Sequence, residues 1–269
     1  MRATAPNVSR LALRFRAVNV DPVSSIGFAR GAETYERLRP EYPDSAVDWA
    51  LERLDLGPGS VVLDLAAGTG KLTRALAGRG LNVVAVDPSP EMLAQLRAAI
   101  PGVERREGTA EAIPLEDSTV DAVTVAQAFH WFEPQAALRE IHRVLRPDGG
   151  VALFWNLRPV EDPVQAVWEE IVREAKASVR DRERRDEQAE IEKSGLFGPL
   201  EDRDERWTQN LSVEEFVSLV GSRSYVSSLA DSERDSLLAA VREAGERLGE
   251  PIPFRYVTLV RIARRLSTT

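Results

Sequence analysis

Residues 61–72 read VVLDLAAGTGKL. The run VVLDL is nearly all apolar, glycines follow at 68 and 70, and KLTRALAGRG then keeps helical spacing until its own glycines stop it. An apolar strand of this kind suits a sheet buried on both faces. The alternation continues downstream. NVVAVD (82–87) is a second buried strand; Pro88-Ser89-Pro90 opens a helix with Met92, Leu93, Leu96 and Ile100 on one face, and Pro101-Gly102 closes it. VERREG (103–108) is a weaker, edge-like strand and VDAVTV (120–125) a central one; PQAALREIHRVL is a helix, RPDGG a turn and VALFWN (151–156) a further strand. Upstream, DSAVDWALERLDL spaces Val47, Leu51 and Leu54 helically behind Asp44, a suitable N-cap. Strands and helices alternating at short intervals predict βαβ units and a doubly wound, mostly parallel sheet in an α/β protein.

Three ligand types compete for the glycine turn. A phosphate-binding loop needs G-x-x-x-x-G-K-[ST], but Leu65 stands five residues before Gly70 and Leu72 follows Lys71, so the wide loop cannot form. A dinucleotide fingerprint, G-x-G-x-x-G, finds Thr73 where its third glycine should let the helix approach the strand. The third candidate is a nucleoside without phosphates. Asp64 comes just before the turn, and Asp87 ends the next strand, 19 residues beyond Gly68. A carboxylate at that place can accept hydrogen bonds from both ribose hydroxyls. An amine and a sulfonium on the ligand would favour Asp64 nearby. The competing structural reading is a tight βαβ turn that binds nothing.

DLAAGTGKL, VVAVDPSPEML (83–93), GTAEAIPLEDSTVDAVTVAQAFHWF (108–132) and REIHRVLRPDGG (139–150) together resemble a class I S-adenosylmethionine-dependent methyltransferase. GAETYERLRPEYP (31–43) is further similar to the lead segment of trans-aconitate methyltransferase-like proteins. The resemblance implies a seven-stranded, Rossmann-like sheet with a helical insertion before the last strands, and S-adenosylmethionine as cofactor. It places Asp64, Ala66, Gly68, Thr69 and Gly70 at the methionine half, Asp87 with Pro88 and Met92 at the ribose, and Thr109, Ala110 and Glu111 beside the adenine, with Gln127 also on the cofactor. The family often has a second glycine where this chain has Ala67, or an extra acid at Ala66. Tyr35 and Arg39, one helical turn apart, are assigned to a lid, with Arg39 set to pair the cofactor's carboxylate; a surface helix ending at Pro40 is the plainer alternative.

QAFHWFEP (127–134) follows the strand expected beside VVLDL, where ligands bind outside the carboxyl ends of an open parallel sheet. His130 could take a proton from an attacking hydroxyl or amine. Alternatively Phe129, His130 and Trp131 are the wall of the acceptor pocket. His142, beside Ile141 and Leu145, reads as structural.

Composition narrows the remaining choices. The 269 residues carry a net charge of −8, which disfavours a nucleic-acid partner. There is no cysteine and there are two histidines, so no metal site is expected. No stretch approaches the ~18 apolar residues of a membrane span. Arginine far outnumbers the three lysines, a bias read here as codon composition. Residues 1–25 hold four arginines before the first acid and read as a flexible extension, or as a transit peptide. Residues 26–157 are expected to form the cofactor-binding core, 158–250 a mainly helical segment shaping the substrate pocket, and 251–265 a final strand returning to the core sheet. Within the helical segment, VRDRERRDEQAEIEK reads as a solvated face, WTQNL (207–211) as a strand, and SVEEFVSLV and DSERDSLLAAVREAGERL as capped helices. The expected activity is cytoplasmic methyl transfer to a small-molecule acceptor, at oxygen of a carboxylate or hydroxyl. Nitrogen or carbon acceptors, a nucleotide-dependent oxidoreductase and a catalytically silent partner protein remain as alternatives.

Overall fold

The structure is a computed structural model and describes residues 15–17, 38, 40–177, 186–223, 226 and 229–267. Its strands are β1 (Phe15–Ala17), β2 (Val61–Leu65), β3 (Asn82–Asp87), β4 (Glu104–Glu107), β5 (Val120–Ala126), β6 (Leu145–Pro159), β7 (Glu201–Leu211) and β8 (Ile252–Arg264). Its helices are α1 (Asp44–Arg53), α2 (Lys71–Ala77), α3 (Pro90–Ala99), α4 (Pro134–Val144), α5 (Pro163–Ala177), α6 (Glu187–Ser194), α7 (Val213–Gly221) and α8 (Asp231–Leu248). The sheet order is β4-β3-β2-β5-β6-β8-β7, with β1 paired to β6. β2 is parallel to both β3 and β5, β3 to β4, and β5 to β6. This is the doubly wound, mostly parallel seven-stranded path expected of the α/β class, with β4 at its edge.

Contacts divide the chain into two compact units. One, the glycine-turn unit, comprises Glu41–Trp155, Arg182–Glu205 and Thr258–Thr269. The other, the helical unit, comprises Met1–Pro40, Asn156–Asp181 and Arg206–Val257. The segment 158–250 is therefore divided, residues 182–205 belonging with the glycine turn.

In the glycine-turn unit, valines and leucines of β2, β3 and β5 are buried on both faces, as central parallel strands require. Gly70 caps α2 with a φ of +89°, and a Cβ there would lie 2.8 Å from Leu96 Cγ of α3, so both conformation and space call for glycine. Ser89 caps α3 by accepting from the Met92 N–H. Asp44 is not the cap of α1; Pro43 occupies that place, and Asp44 in the first turn binds Arg79 instead. The RPDGG turn is absorbed into β6. Leu145 pairs with Val120, and pairing resumes at Ala122 and Gly150 after a register irregularity in which Asp148 has a φ of 66°. His142 is structural: its Nε2 is 2.9 Å from the Leu266 carbonyl oxygen, and its ring meets Phe197 edge-on.

The helical unit packs Trp168, Phe216 and Phe254 against one another, with centroids 5.5–6.0 Å apart. α7 begins with a reciprocal capping box between Ser212 and Glu215, whereas α8 starts after Ala230 without a side-chain cap. Within the expected extension 1–25, Phe15–Ala17 pair antiparallel with Leu157–Pro159.

Glu187 departs from the solvated face expected of its tract. It is 1% exposed and accepts from Arg261 Nη1 at 2.8 Å, and Arg261 is itself buried. Removing one partner leaves the other charge buried. Glu187→Ala should cost about 3–5 kcal/mol in urea unfolding, and Glu187→Leu combined with Arg261→Met should recover most of that loss.

Candidate active site

β2 and β5 flank the point where strand order reverses: from β2 the chain winds outward through β3 and β4, and from β5 through β6. At the carboxyl end of each, a non-glycine residue turns left-handed. Ala66 follows β2 and Gln127 follows β5, both with a φ of 58°. Each such residue stores about 1–3 kcal/mol, and strain of this kind gathers at binding sites. The Gln127 N–H donates to the Phe154 carbonyl at 2.9 Å, fixing the second corner. Gly68 also has a positive φ, and no atom lies within 4 Å of where its Cβ would be. Residues 66–69 are half-buried, so the turn presents backbone to open space.

Two carboxylates set this turn. Asp87, 7% exposed, accepts from the Gly68 N–H at 2.8 Å and the Ser89 N–H at 2.9 Å. Each oxygen keeps lone pairs for a ligand. Burial holds its pKa above the ordinary value, against the pull of those two N–H groups. Asp64 is more enclosed, at 1% exposed. Thr73 Oγ1 donates to its Oδ2 at 2.5 Å and Thr124 Oγ1 to its Oδ1 at 3.0 Å. Its carboxylate thereby ties α2 and β5 to the end of β2.

The remaining expected residues separate. Pro88 is exposed and Met92 half-buried at the start of α3, while Thr109 is exposed and Ala110 buried. Glu111 accepts from the Glu133 N–H at 2.8 Å and so ties its segment to the loop after β5. Phe129 is fully buried, its ring edge-on to Phe132. His130 is 4% exposed, its ring 4.6 Å from that of Trp131 and 5.4 Å from that of Trp155. Trp131 is half-buried. Tyr35 and Arg39 lie outside the described residues. Thr73, Thr124, Ser89 and Trp155 went unassigned in the sequence; a polar Thr124 inside an apolar strand, in register with Asp64, was the available signal.

A methyltransferase domain family matches residues 63–153. An uncharacterized methyltransferase of Mycobacterium tuberculosis (strain ATCC 25618 / H37Rv) is 43% identical over 219 residues, covering 81% of this chain and 85% of that one. The chain belongs to the methyltransferase family. This methyltransferase is also 38% identical over 229 residues to a methyltransferase-like protein of Schizosaccharomyces pombe, covering 82% of this chain and 86% of that one. Among solved structures, it is similar to a candidate type II methyltransferase from Anaeromyxobacter dehalogenans, at 27% identity, a TM-score of 0.57, and coverage of 84% of this chain and 97% of that one. It shares its fold with phosphoethanolamine N-methyltransferase 2 of Haemonchus contortus, at 17% identity and a TM-score of 0.53, covering 92% of this chain and 62% of that one. That structure holds phosphomonomethylethanolamine and S-adenosylhomocysteine. The methyltransferase is of the class I, S-adenosylmethionine-dependent type. Its turn fits such a cofactor: open space beside Gly68, spare lone pairs on Asp87, and no phosphate-wrapping loop.

Burial raises the Asp64 pKa from 3.8 to about 6, against the hydrogen bonds from Thr73 and Thr124, with the charge of Asp87 adding to the rise. A folded-state pKa above the unfolded one means that the folded chain holds the proton more tightly. The stability this confers is present in acid and is lost as pH rises from about 4 to about 6, a loss of roughly 3 kcal/mol. Chemical unfolding across that window should show this fall in the wild type and a much shallower one in Asp64→Asn.

Proposed function

We propose that this methyltransferase holds S-adenosylmethionine against residues 66–70, with Asp87 on the ribose, and methylates an oxygen of a small-molecule acceptor. The observation that carries this reading is the pair of left-handed corners, Ala66 and Gln127, at adjacent strand ends beside the Asp87 clamp. When bound, the cofactor supplies an electrophilic methyl on a sulfonium, a leaving group that needs no protonation. The work left to the chain is therefore mainly binding, alignment and exclusion of water. Gly68 allows close approach of backbone, and Ala66, Thr69 and Gly70 complete the turn on the methionine side. Pro88 and Met92 flank the ribose acid; Thr109, Ala110 and Glu111 line the adenine side; Gln127 closes the opposite corner. Tyr35 and Arg39 are proposed as the lid. Asp64 acts through Thr73 and Thr124, which hold the helix and strand that frame the turn.

A carboxylate acceptor is already nucleophilic and needs no base, whereas a hydroxyl does. His130, set between the rings of Trp131 and Trp155, serves as aromatic wall in the first case and as proton acceptor in the second. Single-turnover kinetics separate these roles: with a carboxylate acceptor, His130→Asn should leave the pH profile of methyl transfer unchanged.

Calorimetric titration of the purified chain with S-adenosylmethionine, S-adenosylhomocysteine, NAD and ATP tests the cofactor assignment. The first two should bind with micromolar affinity and the others should give no heat; binding of NAD alone would overturn it. Asp87→Ala should weaken S-adenosylhomocysteine binding by about 1.5–3 kcal/mol, through lost charged hydrogen bonds. An acceptor screen over carboxylates, phenols and amines then tests the oxygen assignment, and turnover of amines alone would refute it.

A further inference from the structure

In the glycine-turn unit, residues 108–118 carry the chain from β4 to β5, and both ends of α4 brace them. The N–H of Glu133, the N-cap of α4, donates to Glu111 Oε1 at 2.8 Å. In the last turns of α4, Glu140 Oε2 accepts from the Ile113 N–H at 2.9 Å. Arg143 donates through each of its five N–H groups. Two reach the carbonyls of Ile113 at 3.0 Å and Leu115 at 2.8 Å, one reaches Asp117 Oδ1 at 2.8 Å, and two grip the Glu140 carboxylate. The main chain adds two ties: the carbonyls of Arg143 and Val144 accept from the Ser118 N–H at 2.9 Å and the Thr119 N–H at 2.8 Å. Pairing with Arg143 holds the Glu140 carboxyl below its ordinary pKa, so the pair stays ionised.

A connection held this fully offers a ligand one position. Its outer leg, residues 113–117, packs on its inner leg: Pro114 Cδ lies 2.6 Å from where a Cβ on Gly108 would be, and Thr109 bridges Ala112. The Gly108 N–H in turn donates to the Asp87 carbonyl oxygen at 3.3 Å, which ties the inner leg to the strand-end acid. At the tip of that leg, the backbone N–H groups of Ala110 and Glu111 have no acceptor among the described residues. Fixed backbone donors can read the edge of a base. The N1 of adenine accepts from them, whereas the N1–H of hypoxanthine sets donor against donor.

We propose that Arg143 and Glu140 are positioning residues for base recognition: from α4 they fix residues 113–117, and through these the leg 109–111, so that the site takes an adenine nucleoside and turns away its inosine counterpart. This rests on the adenine side proposed above for Thr109, Ala110 and Glu111. The two residues act through the backbone they hold. A leg free to sample other positions would dilute the one that fits the base.

The test titrates the full chain calorimetrically with S-adenosylhomocysteine and S-inosylhomocysteine, at a temperature where urea unfolding shows each variant to be folded. The wild type should prefer the adenine form by about tenfold or more. Arg143→Lys keeps the charge and loses the fork. It should weaken binding of the adenine form about five- to twentyfold and shift the inosine form less, so that the preference shrinks. Glu140→Gln, which gives up one acceptor, should act in the same direction to a smaller degree, and it decides if Arg143→Lys does not fold. A purely structural pair would lower the urea midpoint and leave both dissociation constants of the folded protein unchanged. That result overturns the proposal while the cofactor reading stands, as does a wild type that binds both forms equally. A wild type that binds neither form overturns the cofactor reading as well.

Discussion

A carboxylate inside a parallel sheet has to find donors, and the way Asp64 finds them organises the switch in strand order. One donor, Thr124, comes from the neighbouring strand at the same register; the other, Thr73, comes from the helix after the turn. Sliding β5 by one residue would send Thr124 to the opposite face and strand a buried charge. Register, helix placement and the path of the turn are thereby fixed together. Asp87 completes the frame from the other neighbouring strand by holding the Gly68 N–H. The glycine turn is shaped by two acids on adjacent strands, and only one of them keeps its oxygens near the turn's surface.

The sheet was legible because its strands are short, apolar and punctuated by glycine and proline at every crossover. VVLDL, NVVAVD and VDAVTV were placed to within a residue. Features set by distant partners were not legible. RPDGG has the composition of a turn, but β5 recruits it as a bulged strand end. Asp44 has the chemistry of a cap, yet Pro43 takes that place and Asp44 reaches Arg79. Glu187 sits in a tract of charges that looks solvated, and Arg261, far along the chain, buries it.

At the candidate site, the turn and the strand-end acid stood out in the sequence, whereas the hydrogen-bond partners around them did not. Thr73 counted only as a missing glycine, although its hydroxyl is the group that makes a buried Asp64 tolerable. Phe129 and His130 looked alike as pocket wall; the first packs edge-on against Phe132, and the second lies against Trp131 and Trp155. The arginine excess also gains a partial chemical reason. Arg158, Arg223 and Arg261 are all buried, where a delocalised, weakly hydrated guanidinium is easier to desolvate than an ammonium. Codon composition need not account for those three.

The left-handed corners at Ala66 and Gln127 set thermal endurance against readiness to bind. Glycine at either position would adopt the same φ without the steric penalty, and the folded chain would gain from the relief. Glycine would also let the corner sample other conformations, so the fixed geometry offered to a ligand would be diluted. Selection for heat resistance alone would drift toward glycine at these two positions and blunt recognition as it did so. A side chain that keeps each bend slightly uncomfortable also keeps it the same bend in every molecule.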